Sequence, residues 1–225
     1  MKIGILMTGH ALPEVQEDRG DYDSMFAKLL DGYGFDFETY DVVNESYPSS
    51  PQEMDGWIIT GSKHGAYEDH PWIPPLEEFI RATHTAGVPM VGICFGHQII
   101  AQALGGKVVK FEGGWAVGGT DYDIEGQGMN LNAWHQDQVV ELPKDAKVIG
   151  SNDFCANAAL MYGNTIYTIQ PHPEFDAKIM EHLINLRGKG LLPEDQLESA
   201  TQKLSEVTNS NVIADRIARV FRQEA

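Results

Sequence analysis

The stretch VGICFGHQII, residues 91–100, decides how the rest of the chain is read. Its first half is an apolar run of strand type and its second half has helix-type spacing, with Cys94 at the joint and glycines at positions 92 and 96. Glycines flanking a nucleophile let a strand and a helix approach closely around a sharp turn, the arrangement called a nucleophile elbow. Such a turn would put Cys94 at a helix N-terminus, where partial positive charge favours a thiolate and the Phe95 N–H points at a developing oxyanion. A thiol of pKa about 8.5 is only a few per cent ionised near neutral pH, and lowering it by roughly two units takes about 2.7 kcal/mol. A helix terminus supplies about 0.3 to 1 kcal/mol of that, so a basic partner must supply the rest. Without one, Cys94 reads equally well as a small buried hydrophobe.

Working outward, strand and helix signals alternate before and after the joint: KIGILMT, SMFAKLLDGYG, FDFETYDV, GWIITGS, PPLEEFIRATHTAG, VPMVGIC and GHQIIAQALGG. This rhythm predicts βαβ units and a mainly parallel sheet with helices on both faces. From residue 107 to 167 the pattern changes to short strands (KVVKF, TDYDI, QVVELP, KVIGSN, AALMYG, TIYTIQ), as an antiparallel extension would read. Three helical segments follow Glu174, with Pro193 and Asn211 as expected starts of the last two. The expected organisation is one α/β domain over residues 1–190, with a helical extension over 191–225 packed on the same domain. The acidic stretch 14–23 reads as a solvated loop, and Lys107 and Lys110 as part of an exposed strand.

In open α/β sheets ligands bind where strands end, so residues 9–23, 60–75, 94–98 and 170–174 carry the interest. The last of these holds a partner for Cys94 in QPHPEF, residues 170–175. Pro171 and Pro173 each push the preceding residue out of the helical region, which holds Gln170 and His172 extended. In extended chain, residues two apart project to one side, so Glu174 falls beside His172, as base and orienter.

Bulk composition narrows the classes. The chain has 225 residues, 42% hydrophobic and 22% charged, and no apolar run near the roughly 20 residues that span a bilayer. MKIGILMT lacks the length and cleavage site of a signal peptide and reads as a first strand. A formal net charge of −17 argues against nucleic acid as partner, and two cysteines, Cys94 and Cys155, without a secretion signal point to a reducing, cytoplasmic setting. No G-x-x-x-x-G-K-[ST] phosphate loop is present, and no cofactor is expected. No histidine pair shows a familiar ligand spacing with a matching carboxylate, so no metal site is expected either.

Taken together, GICFGHQ and QPHPEF resemble the nucleophile and His/Glu segments of the class I, or triad, glutamine amidotransferases, in the right order over roughly residues 1–175. The resemblance implies a flavodoxin-like three-layer α/β sandwich and hydrolysis of a γ-glutamyl amide through a thioester. Carried over, Cys94 is the nucleophile, His172 the acid/base and Glu174 its orienter. Phe95 N–H is half of the oxyanion hole. The family's Gly-Gly-Pro or Asn-Gly-Pro segment aligns with Gly61-Ser62-Lys63, which makes the Ser62 amide the other half. Gln98 matches a substrate-touching glutamine, and Trp134, His135 and Gln136 match the segment whose backbone receives the amino-acid end of glutamine. GGWAVGG, residues 113–119, departs from a stretch that often carries a glutamate in synthetase-linked members. The overall look is closer to free-standing, GMP-synthase-like members and γ-glutamyl peptidases. The chain leaves no room for a second catalytic domain. The implied small-molecule substrate is therefore either glutamine, with ammonia delivered to a separate synthetase subunit, or a γ-glutamyl amine or peptide hydrolysed by the chain alone. A non-catalytic binding relative is the competing reading.

Overall fold

A computed structural model describes residues 1–224. In chain order the strands are β1 (Lys2–Met7), β2 (Asp36–Asp41), β3 (Gly56–Ile59), β4 (Met90–Ile93), β5 (Lys107–Lys110), β6 (Ala116–Ile124), β7 (Gln127–His135), β8 (Asp137–Glu141), β9 (Ala146–Ser151), β10 (Ala159–Tyr162) and β11 (Ile166–Ile169). The helices are α1 (Pro13–Arg19), α2 (Tyr22–Leu29), α3 (Ile73–Ala86), α4 (Phe95–Ala103), α5 (Ala177–Leu183), α6 (Glu194–Gln202) and α7 (Ser210–Arg222). Nine strands form one sheet in the order β2-β1-β3-β4-β11-β10-β9-β6-β7. The five from β2 to β11 run parallel, and the four beyond them are antiparallel.

The inner parallel strands β3 and β4 are buried along their whole length because both faces are covered, whereas the edge strand β2 is polar and largely exposed. In β3, Ile58 joins a core with Phe26 of α2 and Ile217 and Phe221 of α7. Trp57 and Ile59 point the other way, into a core with Leu76 and Ile80 of α3 and Ile99 of α4. The result is the expected three-layer arrangement. Burial of a side chain such as Phe221 contributes about 1.5–3 kcal/mol, and α7 presents Ile213, Ala214, Ile217 and Phe221 as one helical stripe to the sheet. Gly56 makes room for that helix, since a Cβ there would meet the Phe221 ring at 2.6 Å. Cys155 lies in the same core, 1% exposed, and burial pushes its thiol up to about 12. Among the described residues no helix is long and apolar enough to cross a membrane.

The antiparallel extension differs from the expectation in two ways. Residues 127–135, QGMNLNAWH, form a nine-residue strand paired along β6 that the sequence did not announce, since its Gly and Asn are disfavoured in strands. The hairpin is set by Glu125 and Gly126, both at positive φ (54° and 77°), the backbone a two-residue turn of this hand demands. KVVKF and QVVELP, by contrast, pair with each other in a separate two-stranded sheet, β5-β8. The acidic stretch is not a loop: residues 13–19 are α1, begun by Pro13, and Asp21 caps α2 while also accepting the Ala11 N–H at 2.8 Å. The last helix starts at Ser210, one residue before the expected Asn211.

Candidate active site

Cys94 ends β4 and opens α4 with φ 53° and ψ −102°, a left-handed-side conformation that side chains adopt at a cost of about 1–3 kcal/mol. Three backbone bonds hold it there: Cys94 N–H to Ile169 O at 2.9 Å, Gly96 N–H to Thr60 O at 3.1 Å, and Gln98 N–H to Cys94 O at 3.1 Å. The flanking glycines are explained by crowding. A Cβ on Gly92 would meet Gly96 O at 2.5 Å, and one on Gly96 would collide with Ile59 O of the neighbouring strand.

His172 follows β11. Its N–H donates to Asn132 O of β7 at 2.8 Å, and its ring lies on the Phe175 ring with centroids 4.0 Å apart and planes 3° from parallel. Nδ1 sits 2.7 Å from Glu174 Oε1, and the two side chains are 4% and 0% exposed. That leaves Nε2 to address Cys94. Burial by itself pushes the imidazole down, but the Glu174 carboxylate and the neighbouring Cys94 outweigh burial and hold it up at about 10. Gly61 passes between the two side chains: a Cβ on it would stand 3.0 Å from His172 Cε1 and 3.8 Å from Cys94 Cβ. His172 and Glu174 are thus in contact, and Gly61 lies against both His172 and Cys94.

Phe95 is the first residue of α4, where backbone N–H groups lack partners inside the helix. Facing it is the turn after β3, tied down by Thr8, whose hydroxyl donates to Thr60 O at 3.0 Å and lies 3.1 Å from Gly61 O. Ser62 has no positive φ, so a serine in place of the family's glycine carries no backbone strain there.

Ser62, Cys94, Gln98, Trp134, His135 and Gln136 line one open cavity of about 170 Å³, whereas Gly61 stands behind it against His172. Three of these expected substrate contacts already serve the protein. Gln98 Nε2 donates to Asp137 O at 3.0 Å and Gln170 Oε1 at 3.2 Å, and Gln136 Nε2 to Phe111 O at 3.1 Å. His135 is fully desolvated and pushed down to about 3, a neutral ring beneath the cavity. Their contribution to a ligand would come from backbone and shape.

The sequence missed other parts of the wall, among them Lys63, Tyr67, Lys110, Trp115 and Arg187. Lys110 is not merely part of an exposed strand, since β5 delivers it to the cavity. Arg187 lies on a π-helical turn (Ile184–Gly188) after α5, a widened turn common at functional sites that no sequence pattern announces. Asn132 was also missed; besides receiving His172 N–H, its Nδ2 donates to Phe175 O at 2.9 Å. Nor is the histidine reading complete. His64, Glu68 and His70, spaced H-x-x-x-E-x-H, gather their ligand atoms within 4.8 Å of one another at the cavity rim.

Two cationic arms, a buried His–carboxylate pair and a strained cysteine at a strand-to-helix turn coincide with a direct family match: residues 22–186 fit the class-I glutamine amidotransferase family. The chain belongs to that family. Among its relatives is a glutamine amidotransferase-like protein of Schizosaccharomyces pombe, 30% identical and aligned over 96% of this chain and 97% of the relative. γ-Glutamyl peptidase 4 of Arabidopsis thaliana is 31% identical over 74% of this chain and 72% of the peptidase. The glutamine-hydrolysing GMP synthase of Leifsonia xyli subsp. xyli is 34% identical over 75% of this chain but only 34% of the synthase. The solved glutamine amidotransferase of Methylobacillus flagellatus superposes with a TM-score of 0.80 at 20% identity, covering 99% of this chain and 93% of that one, which bears on the fold. The mixed sheet is the flavodoxin-like one of the class-I amidotransferases.

Proposed function

We propose that the chain hydrolyses γ-glutamyl amide bonds through a thioester on Cys94. The observation that carries this reading is the buried His172–Glu174 pair at 2.7 Å facing a cysteine held at φ 53°. Cys94 thiolate attacks the δ-carbonyl carbon while the Phe95 and Ser62 amides receive the oxyanion; one such donor is typically worth about 10² to 10³ in rate. His172 Nε2 gives its proton to the departing nitrogen, the C–N bond breaks, and the γ-glutamyl group remains on sulfur. Water then loses a proton to His172 Nε2, attacks the thioester and releases glutamate, with return of the Cys94 thiolate and the protonated imidazole. Glu174 keeps the Nδ1 proton and stabilises the imidazolium throughout.

The leaving group we favour is an amine or peptide carrying an anionic group. In a chain of net charge −17, Lys63, Lys110 and Arg187 converge on the one cavity that holds Cys94, beside the aromatic faces of Trp115 and Trp134. Ammonia needs none of these. The similarity to a γ-glutamyl peptidase over most of both chains supports the same choice. The second reading, glutamine hydrolysis with ammonia passed to a separate synthetase, draws on the likeness to part of a GMP synthase. Purified chain assayed for amine release from γ-glutamyl peptides and for ammonia release from glutamine separates the two. Faster turnover of the peptides supports the first, and exclusive glutaminase activity overturns it. Cys94→Ala is expected to abolish either activity, and unchanged turnover in that variant would sink the mechanism.

A further inference from the structure

The loop between β3 and α3 carries a cluster that the hydrolytic chemistry does not use. His64, Glu68 and His70 lie within seven residues of each other, yet their side chains converge because three consecutive turns fold the loop back on itself. Glu68 N–H donates to Gly65 O at 3.0 Å, His70 N–H to Glu68 O at 3.1 Å, and Ile73 N–H to His70 O at 3.1 Å. One carboxylate oxygen, Glu68 Oε2, is shared: His70 Nε2 stands 2.7 Å from it and His64 Nδ1 3.4 Å. The two imidazoles are 4.2 Å apart between centroids, and the Trp72 ring stacks under His70 at 5.7 Å.

We propose that His64 Nδ1, Glu68 Oε2 and His70 Nε2 form a binding site for a divalent transition-metal ion of the zinc class, with a fourth position open. Two imidazoles and one carboxylate are a donor set suited to such an ion, and three protein ligands leave room for water or a small ligand. Bonds of about 2.0–2.2 Å in tetrahedral geometry put ligand atoms about 3.4 Å apart. The His64–Glu68 separation already has that value, and the His70–Glu68 hydrogen bond has to open by less than an ångström. Trp72 fixes one imidazole from behind. Both rings and the carboxylate are partly solvent-accessible, at side-chain exposures of 24%, 30% and 44%, so an ion can reach them.

The location gives the site a consequence. His64 and Glu68 line the same cavity as Cys94, and the His64 N–H donates to Ser62 Oγ at 3.1 Å, so the ion would tie down the segment bearing the proposed oxyanion amide. Trp72 also packs on Phe95 at 5.6 Å, the residue offering the opposite amide. The ion is a structural brace of the cavity wall and takes no part in the acyl transfer.

The test uses full-length chain carrying Cys94→Ala, which removes a competing thiolate. Titration with Co²⁺ alone, followed by its ligand-field absorption, is expected to show one equivalent bound with the intensity of a tetrahedral site and no thiolate charge-transfer band. Zn²⁺ should displace it and raise the melting temperature of the protein in a concentration-dependent way. His64→Ala and His70→Ala, both at partly exposed positions, should each weaken Co²⁺ binding by roughly tenfold or more, and Glu68→Gln similarly. Binding of equal strength in all three variants, a weak octahedral spectrum, or no binding by the parent overturns the proposal. Because binding is read with Cys94 replaced, the outcome is independent of whether the chain hydrolyses γ-glutamyl amides.

Discussion

Among the described residues Cys94 is one of four non-glycine residues at positive φ, and the only one of them inside a core. Its neighbours keep it there: Gly92 and Gly96 are small because each would strike backbone, not because the turn needs flexible residues. Gly96→Ala therefore forces β3 and α4 apart and should lower stability by about 1–3 kcal/mol or more, measured as a shift in the urea midpoint. A midpoint equal to wild type would mean that the strand-to-helix approach is looser than described. At Glu174 the expectation is kinetic and thermodynamic together. Glu174→Gln keeps the shape and removes the charge, so turnover of the γ-glutamyl substrate should fall by roughly 10²–10⁴-fold. His172 is raised above its unfolded value of about 6.5, so its contribution to stability is complete below that pH and is lost as pH climbs toward 10. Glu174→Gln should therefore flatten the alkaline fall of the melting temperature relative to wild type.

At the scale of elements, β7 is the edge strand of the sheet, yet it is what fixes the histidine. Asn132 takes His172 N–H on its carbonyl and gives its side-chain amide to Phe175 O, bracketing the PHPEF segment from both ends. Asn132→Ala strands a buried carbonyl and should cost about 1–3 kcal/mol. In kinetics it should depress kcat while leaving KM nearly unchanged, because it loosens the proposed base, His172, without touching the cavity wall. The same strand marks where sequence reading ended. The inner parallel strands were legible because buried strands read as apolar runs, the Cys94 segment because glycines spaced around a cysteine at a strand-to-helix joint are a local pattern, and the His172 segment because Pro imposes local backbone that needs no tertiary information. QGMNLNAWH was not, since its strand character comes from its β6 partner. Likewise, Lys110 and Arg187 reach the cavity through a two-stranded ribbon and a π-turn, which are products of packing. His64, Glu68 and His70 escaped notice because their spacing fits no helix or strand and acquires meaning only from three successive turns.

Across the whole molecule, buried histidines set the response to acid. His97 and His135 are both fully desolvated and pushed down to about 3, His97 with Nδ1 2.8 Å from Thr168 Oγ1. The unfolded chain binds protons at these residues below pH about 6.5 while the native chain does not, so stability falls as pH drops from there toward 3. Each contributes a slope of about 1.4 kcal/mol per pH unit in that window. His97→Asn should make the acid limb of the urea-midpoint profile shallower by about that much, and an unchanged slope would show that His97 protonates without unfolding. The two cysteines give the molecule a further property. Cys94 opens on the cavity, whereas Cys155 is sealed in the core shared by α2, α7 and the sheet. A thiol-selective label should stop at one equivalent on the native chain and reach two only when that core opens. The slow second equivalent is then a built-in clock for global opening, readable by mass spectrometry on the natural sequence with no probe introduced.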